Sequence, residues 1–284
     1  MSIKSWLVML LLIALTLSAC SSTRMGYRFF DELVRWKVDD FVTLDTAQQN
    51  QLNTTLDAFL AWHQREQLPV YVQFLERQIA LLQQPGITPA QLQGSAQQLT
   101  ELLRISTREL APETAALLQT LSDEQVSELL DNYDKNARKY ERERILPDQA
   151  ERLADREDRM RKLLNKWIGT LTGQQTARVG QWAGQLSFAT QARLEQRQRF
   201  RAYLQQLLAA RQQPQLQAML QQVMVYPERQ YTPAYRRYSD VNRQQTLQML
   251  ADIHASLTAE QKNKLLAKLK QYQADFQKLA QQAR

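Results

Sequence analysis

Turn-forming residues are scarce in this chain: 7 Gly and 8 Pro in 284 residues. A β-sandwich or barrel reverses direction every ~8–12 residues and spends Gly, Pro, Asn and Asp to do so. An α/β fold that binds nucleotides spends glycines on its phosphate loops. So few cannot serve the first and disfavour the second. The 44% of hydrophobic residues is enough for a core, which excludes a disordered chain. The expected fold is all-α: an elongated multi-helix bundle with long antiparallel helices and no sheet. A single Cys excludes a disulfide framework and a Cys-based zinc site.

The N-terminus carries an address. Lys4 precedes Trp6–Leu17, twelve apolar or near-apolar residues. That is the length of a signal peptide and too short for a membrane span of ~20 residues. It ends in Leu17-Ser18-Ala19-Cys20, which resembles a bacterial lipobox. The resemblance implies a signal peptide over 1–19, cleavage before Cys20, and acylation of Cys20, palmitate included. Ser21 at the next position implies sorting to the outer membrane, with the protein on its periplasmic face. Residues 20–26 would be a short lipidated tether and 27–284 a single α-helical domain, with possible sub-lobes 27–146 and 148–284.

A short motif recurs: Leu44-Asp45-Thr46-Ala47-Gln48, Leu121-Ser122-Asp123-Glu124-Gln125, Leu171-Thr172-Gly173-Gln174-Gln175 and Leu257-Thr258-Ala259-Glu260-Gln261. Ile87-Thr88-Pro89-Ala90-Gln91 is a weaker fifth copy. Each reads as a capping box, in which the Asp, Ser or Thr accepts from the N3 backbone N–H and the Gln reaches back to the N-cap N–H. The boxes predict helix starts near 45, 88, 122, 172 and 258. Prolines supply other boundaries. Pro69 opens or kinks a helix to about 84. Pro112 begins a short one, Pro147 separates 122–145 from 148–168, and Pro227 and Pro233 flank a tyrosine-rich linker. One helix is expected over 172–211, and the helices 234–256 and 258–282 are expected to pair antiparallel. Gly173, Ala177, Gly180 and Gly184 form a small-residue stripe that suggests close approach by another helix.

Catalytic chemistry has little to work with. There are two histidines, His63 and His254, and no nucleophile elbow, metal-binding pair or phosphate loop. No enzyme, no metal and no cofactor is expected. Three surfaces remain. Trp62-His63 followed by Leu68-Pro69-Val70-Tyr71 is either a pocket with His63 as its polar handle or a packed corner. Residues 134–166 hold eleven Lys/Arg and eight Asp/Glu spaced as ion pairs. That reads as a solvated helical surface and no nucleic-acid patch. The run Arg193, Arg197, Arg199, Arg201 and Arg211, then Tyr226, Arg229, Tyr231, Tyr235, Arg236, Arg237, Tyr238 and Arg243, is more lopsided. Such basic–aromatic interleaving suits an anionic polymer, a peptide or lipid phosphate.

Trp36-Lys37-Val38-Asp39-Asp40-Phe41-Val42 leading into Leu44…Gln48, together with Trp62-His63…Leu68-Pro69-Val70-Tyr71, resembles an uncharacterised family of proteobacterial helical lipoproteins. The resemblance implies an all-α fold, a lipid anchor and no known activity. The L-T-x-x-Q boxes also resemble those of small periplasmic stress chaperones of the Spy and CpxP type. The expected role is non-enzymatic binding of envelope proteins, chaperone-like or as an adaptor. The alternative is a structural tether to peptidoglycan or anionic lipid phosphate. The candidate partner-binding residues are Trp62, His63, Tyr71, Tyr231, Tyr235, Arg236, Arg237 and Tyr238.

Overall fold

The computed structural model describes residues 26–27 and 29–282. The signal peptide, Cys20 and the tether as far as residue 25 lie outside them. Every element among the described residues is helical. The helices are α1 (Phe30–Asp39), α2 (Thr46–Trp62), α3 (Leu68–Gln83), α4 (Pro89–Gln119), α5 (Asp123–Arg144) and α6 (Gln149–Ile168). They continue with α7 (Gly173–Gln185), α8 (Thr190–Ala209), α9 (Leu216–Val225), α10 (Pro233–Ala255) and α11 (Ala259–Gln282).

All five boxes form. The side chains of Asp45, Thr88, Ser122, Thr172 and Thr258 accept from the backbone N–H three residues on, and each Gln returns to its N-cap N–H. The apolar residue before the cap, or four past the Gln, falls in a core for three of these boxes: Leu44, Leu52 and Leu121 in one cluster, Val179 in another. The core is divided into four such clusters. Leu164, Val179, Trp182, Met249 and Ile253 join α6, α7 and α10. Leu68, Tyr71, Leu102 and Leu279 join α3, α4 and α11. Ala115, Leu207, Leu216 and Leu220 join α4, α8 and α9. Helices of 148–284 thus lie against helices of 27–146.

Several boundaries differ from the sequence expectation, each for a tertiary reason. Pro112 sits inside α4 instead of starting a helix. Ala111 and Ala115 on either side are buried, and that packing outweighs the backbone bond a mid-helix proline removes. Pro69 does not break the α2–α3 path either. Residues His63–Gln67 form a π-helical turn, in which the Leu68 N–H reaches back to the His63 carbonyl. α11 packs chiefly along α3, not as an antiparallel hairpin with α10. The helix expected over 172–211 is two, α7 and α8, with Leu186 extended and Ala189 left-handed at φ 37°. No proline marks this break. Arg156 donates to the carbonyls of Ala183 (2.9 Å), Leu186 (3.1 Å) and Ser187 (3.4 Å), drawing off the acceptors that would continue the helix. Asn242 takes both backbone groups of Ser187, at 2.9 and 3.0 Å.

The small-residue stripe faces outward. A Cβ at Gly173 or Gly184 would meet nothing within 4 Å, and one at Gly180 only the Glu157 carboxylate at 3.7 Å. No helix backbone approaches there. Gly180→Ala should therefore raise stability by about 0.5–1 kcal/mol, read as a higher urea midpoint with unchanged slope.

Candidate anion site and paired glutamine junctions

Four of the boxes do more than cap. The Gln48 Nε2 donates to the Gln125 Oε1 at 2.9 Å, and the Gln125 Nε2 to the Gln48 Oε1 at 2.7 Å. Gln175 and Gln261 exchange the same two bonds at 2.8 and 2.9 Å. The remaining amide proton of each goes to a carbonyl two residues before its partner's N-cap: Gln48 to Thr120, Gln125 to Thr43, Gln175 to Ser256 and Gln261 to Thr170. Each amide thus uses two donors and two acceptor positions, the full capacity of the group. Glu could cap but could not donate across. The chain therefore contains one helix-start junction twice, joining α2 to α5 and α7 to α11. Gln91 in the fifth box has no such partner; its Nε2 lies 3.4 Å from the Gln84 Oε1 on the surface.

A second constellation is cationic. Arg144 at the end of α5, Arg152, Arg156 and Arg159 on α6, and Arg193 on α8 line a cavity of about 200 Å³. Tyr140, Asp155, Phe188 and Tyr238 complete the wall. Positions 152, 156 and 159 share one helical face by their i, i+4, i+7 spacing. Asp155 is the only carboxylate in the lining. It pairs with Arg144, and with Arg159 at 2.8 Å. The other three guanidiniums are held by neutral groups. Arg152 donates to the Ile145 carbonyl at 3.0 Å and the Thr190 hydroxyl at 2.7 Å. Arg193 donates to the Arg144 carbonyl and the Tyr140 hydroxyl. Arg152 and Arg156 both lie over the Phe188 ring, at 4.3 and 4.2 Å. The Arg152 Nε is buried without an acceptor.

Burial lowers the basicity of Arg156, and the nearby charges of Arg193, Arg159 and Arg152 lower it further, against an opposing effect of Tyr238. Burial likewise lowers that of Arg159, with Asp155 opposing it. Five like charges facing one carboxylate repel one another, and an anion between them removes that repulsion. The strained Ala189 between Phe188 and α8 is consistent with a wall held in place by its surroundings. Arg156 also closes the end of α7. Arg156→Met, which keeps the stem and removes the donors, should cost about 1–2 kcal/mol, measured by chemical denaturation.

Most of the lopsided basic run is neutralised. Arg197 pairs with Glu141 at 3.1 Å, Arg201 with Asp134 at 2.7 Å, Arg211 with Asp123, and Arg243 with Asp240 at 2.6 Å. Arg236 donates to the Glu228 carbonyl, and it and Arg237 are exposed. Tyr231, Tyr235 and Tyr238 pack ring on ring, at 4.8 and 5.5 Å. Only Arg193 and Tyr238 of that run reach the cavity. Its other four arginines come from 134–166, the tract that reads from spacing as a solvated, ion-paired surface. The pairs foreseen within that tract form only in part: Lys162–Asp158 is present at 2.7 Å, while Arg152 and Arg156 bond backbone and an aromatic face.

One observation settles the kinship. The sequence profile of the family of unknown function DUF6279 matches residues 40–236. The chain belongs to that family. The DUF6279 match contains three of the four paired boxes and all five cavity arginines, while Tyr238 and the Thr258–Gln261 box lie beyond its end. No curated protein and no solved structure matches the chain.

The Trp62 corner is packed. His63 is buried beside Tyr27, Phe59, Trp62 and Tyr71, and its Nδ1 lies 3.1 Å from the Tyr27 hydroxyl. The Tyr71 hydroxyl meets Ser106 at 3.2 Å. None of Trp62, His63 and Tyr71 lines the arginine cavity. The His254 Nε2 lies 3.0 Å from the Leu82 carbonyl. Among the described residues no group of three or more His, Cys, Asp or Glu could hold a metal ion, and no helix is long and apolar enough to cross a membrane.

Proposed function

We propose that the protein is a lipid-anchored, non-enzymatic envelope protein of proteobacterial type, acylated at Cys20 and held at the periplasmic face of the outer membrane. In this reading it works by binding an anionic envelope component. The observation that carries the proposal is the set of five arginines around one cavity with a single carboxylate among them. Three of these arginines are fixed by backbone carbonyls, hydroxyls or an aromatic face, so their charge is not cancelled within the fold. Among the described residues His63 meets the Tyr27 hydroxyl and His254 the Leu82 carbonyl, which supports a binding role.

The test is retention on isolated cell envelopes by a Cys20→Ala chain, in which the anchor no longer masks weaker binding. The expected result is retention at low salt, release as salt screens the contact, and loss with Arg144→Glu plus Arg159→Glu. Retention that ignores both salt and the double variant would refute the reading.

A protein partner, in a chaperone-like or adaptor role, is the second reading. Trp36 on α1 is 75% exposed and Phe29, seven residues earlier, 46%, an unusual aromatic display for a free surface. Crosslinking in cells from position 36 should then trap an envelope protein.

A further inference from the structure

The arginine cavity has a neighbour. Tyr238, Ser239, Asn242, Arg243, Thr246 and Leu247 line an open groove of about 320 Å³ along α10. The two hollows share Tyr238. They are joined a second time through the backbone, because Asn242 of the groove clamps Ser187, the residue before Phe188 of the cavity. Polar groups among the groove's lining residues could meet a hydroxylated body. The groove offers an aromatic face, the hydroxyl of Ser239, and an Asn242 amide with one donor and one acceptor position taken by Ser187 and the others left over. Leu247 is the one buried aliphatic side chain in its lining. An acyl chain lying in so open a trough would stay largely in contact with water and bury little apolar surface.

We infer that the ligand is a phosphorylated sugar, with its phosphate among Arg144, Arg152, Arg156, Arg159 and Arg193 and its ring in the α10 groove against Tyr238. The inference rests on the reading of the cavity as an anion site and adds the chemistry of what carries the anion. A phosphate dianion suits several guanidiniums at once, since its oxygens accept paired N–H bonds in more than one direction. The groove gives the carrier a separate set of contacts, and those contacts distinguish the ester from free phosphate.

The test is calorimetric titration of the purified Cys20→Ala chain with inorganic phosphate, glucose 1-phosphate and glucose, alongside its flotation with vesicles of phosphatidylglycerol in phosphatidylcholine. Glucose 1-phosphate is expected to bind at least about tenfold tighter than phosphate, with glucose alone giving no signal. Arg159→Glu, at a side chain 54% exposed, should abolish binding of both anions. Ser239→Trp, which fills the groove and leaves the cavity lining intact, should remove the tenfold advantage and keep phosphate binding. Equal affinities for phosphate and its sugar ester would overturn this inference and leave the anion site standing. Vesicle binding that depends on Arg159, with no gain from the sugar, would overturn it in favour of a lipid headgroup. Absence of any anion binding would overturn both readings together.

Discussion

Gln175→Glu is expected to destabilise the protein by about 3 kcal/mol, whereas Gln91→Glu should change stability by less than about 0.5 kcal/mol. The two glutamines occupy the same position of the same motif. Gln175 is fully buried and its Nε2 serves Gln261 and the Ser256 carbonyl. A carboxylate there still accepts from the Thr172 N–H, so the cap survives. It has no proton for Ser256 or for Gln261, and it brings a charge into a buried site. Gln91 is on the surface and spans to no second box, so an added negative charge at its helix start is harmless. Urea denaturation of both variants gives the comparison. A double-mutant cycle over Gln175 and Gln261 should show a coupling of about 1–2 kcal/mol, because each amide satisfies the other. Equal effects at positions 91 and 175 would mean that the junction is no more than two separate caps.

The second large effect is on acid stability. Burial pushes His63 down to about 4 from its ordinary 6.5. The groups facing it are the Tyr27 hydroxyl and the rings of Phe59, Trp62 and Tyr71, none of them a cation or a carboxylate. Between pH 6.5 and 4 the unfolded chain binds a proton at this site and the folded chain does not. Stability therefore falls as pH falls through that window, by about 3 kcal/mol from this residue alone. Above pH 6.5 the contribution is constant. In His63→Gln the same stretch of the pH–stability curve should be flatter by that amount, while carboxylate effects stay common to both proteins. Parallel curves for the two proteins from pH 7 to pH 4 would exclude the assignment.

What the sequence made legible follows from which forces are local. The capping boxes are local chemistry within four residues, and all five appear where the motif places them. The all-α class follows from the scarcity of turn residues. The pairing of the boxes is not local: Gln48 and Gln125 are in contact across 77 residues. Its only trace in the sequence was the contrast between four strong copies and one weak one. The break between α7 and α8 was invisible for the same reason, since the residues that make it, Arg156 and Asn242, are supplied by α6 and α10. Pro112 misled in the opposite direction, because a local breaker was overridden by buried alanines. The arginine cavity was hidden inside a tract whose i, i+4 spacing suggested self-neutralising pairs. Which arginine meets a carboxylate was decided by neighbouring helices: Glu141 turned to Arg197, leaving Arg144 to Asp155 and the cavity.

Ligand-linked stability decides whether this cavity binds an anion. Thermal unfolding of the full chain should be followed in sodium phosphate and in sodium chloride at matched ionic strength, for the wild type and for Arg159→Glu. Phosphate at ~100 times its dissociation constant should stabilise the wild type by about 2.7 kcal/mol and so raise Tm, with no such rise in the variant. A wild-type Tm that is the same in both salts, or a phosphate effect of equal size in Arg159→Glu, would contradict anion binding there.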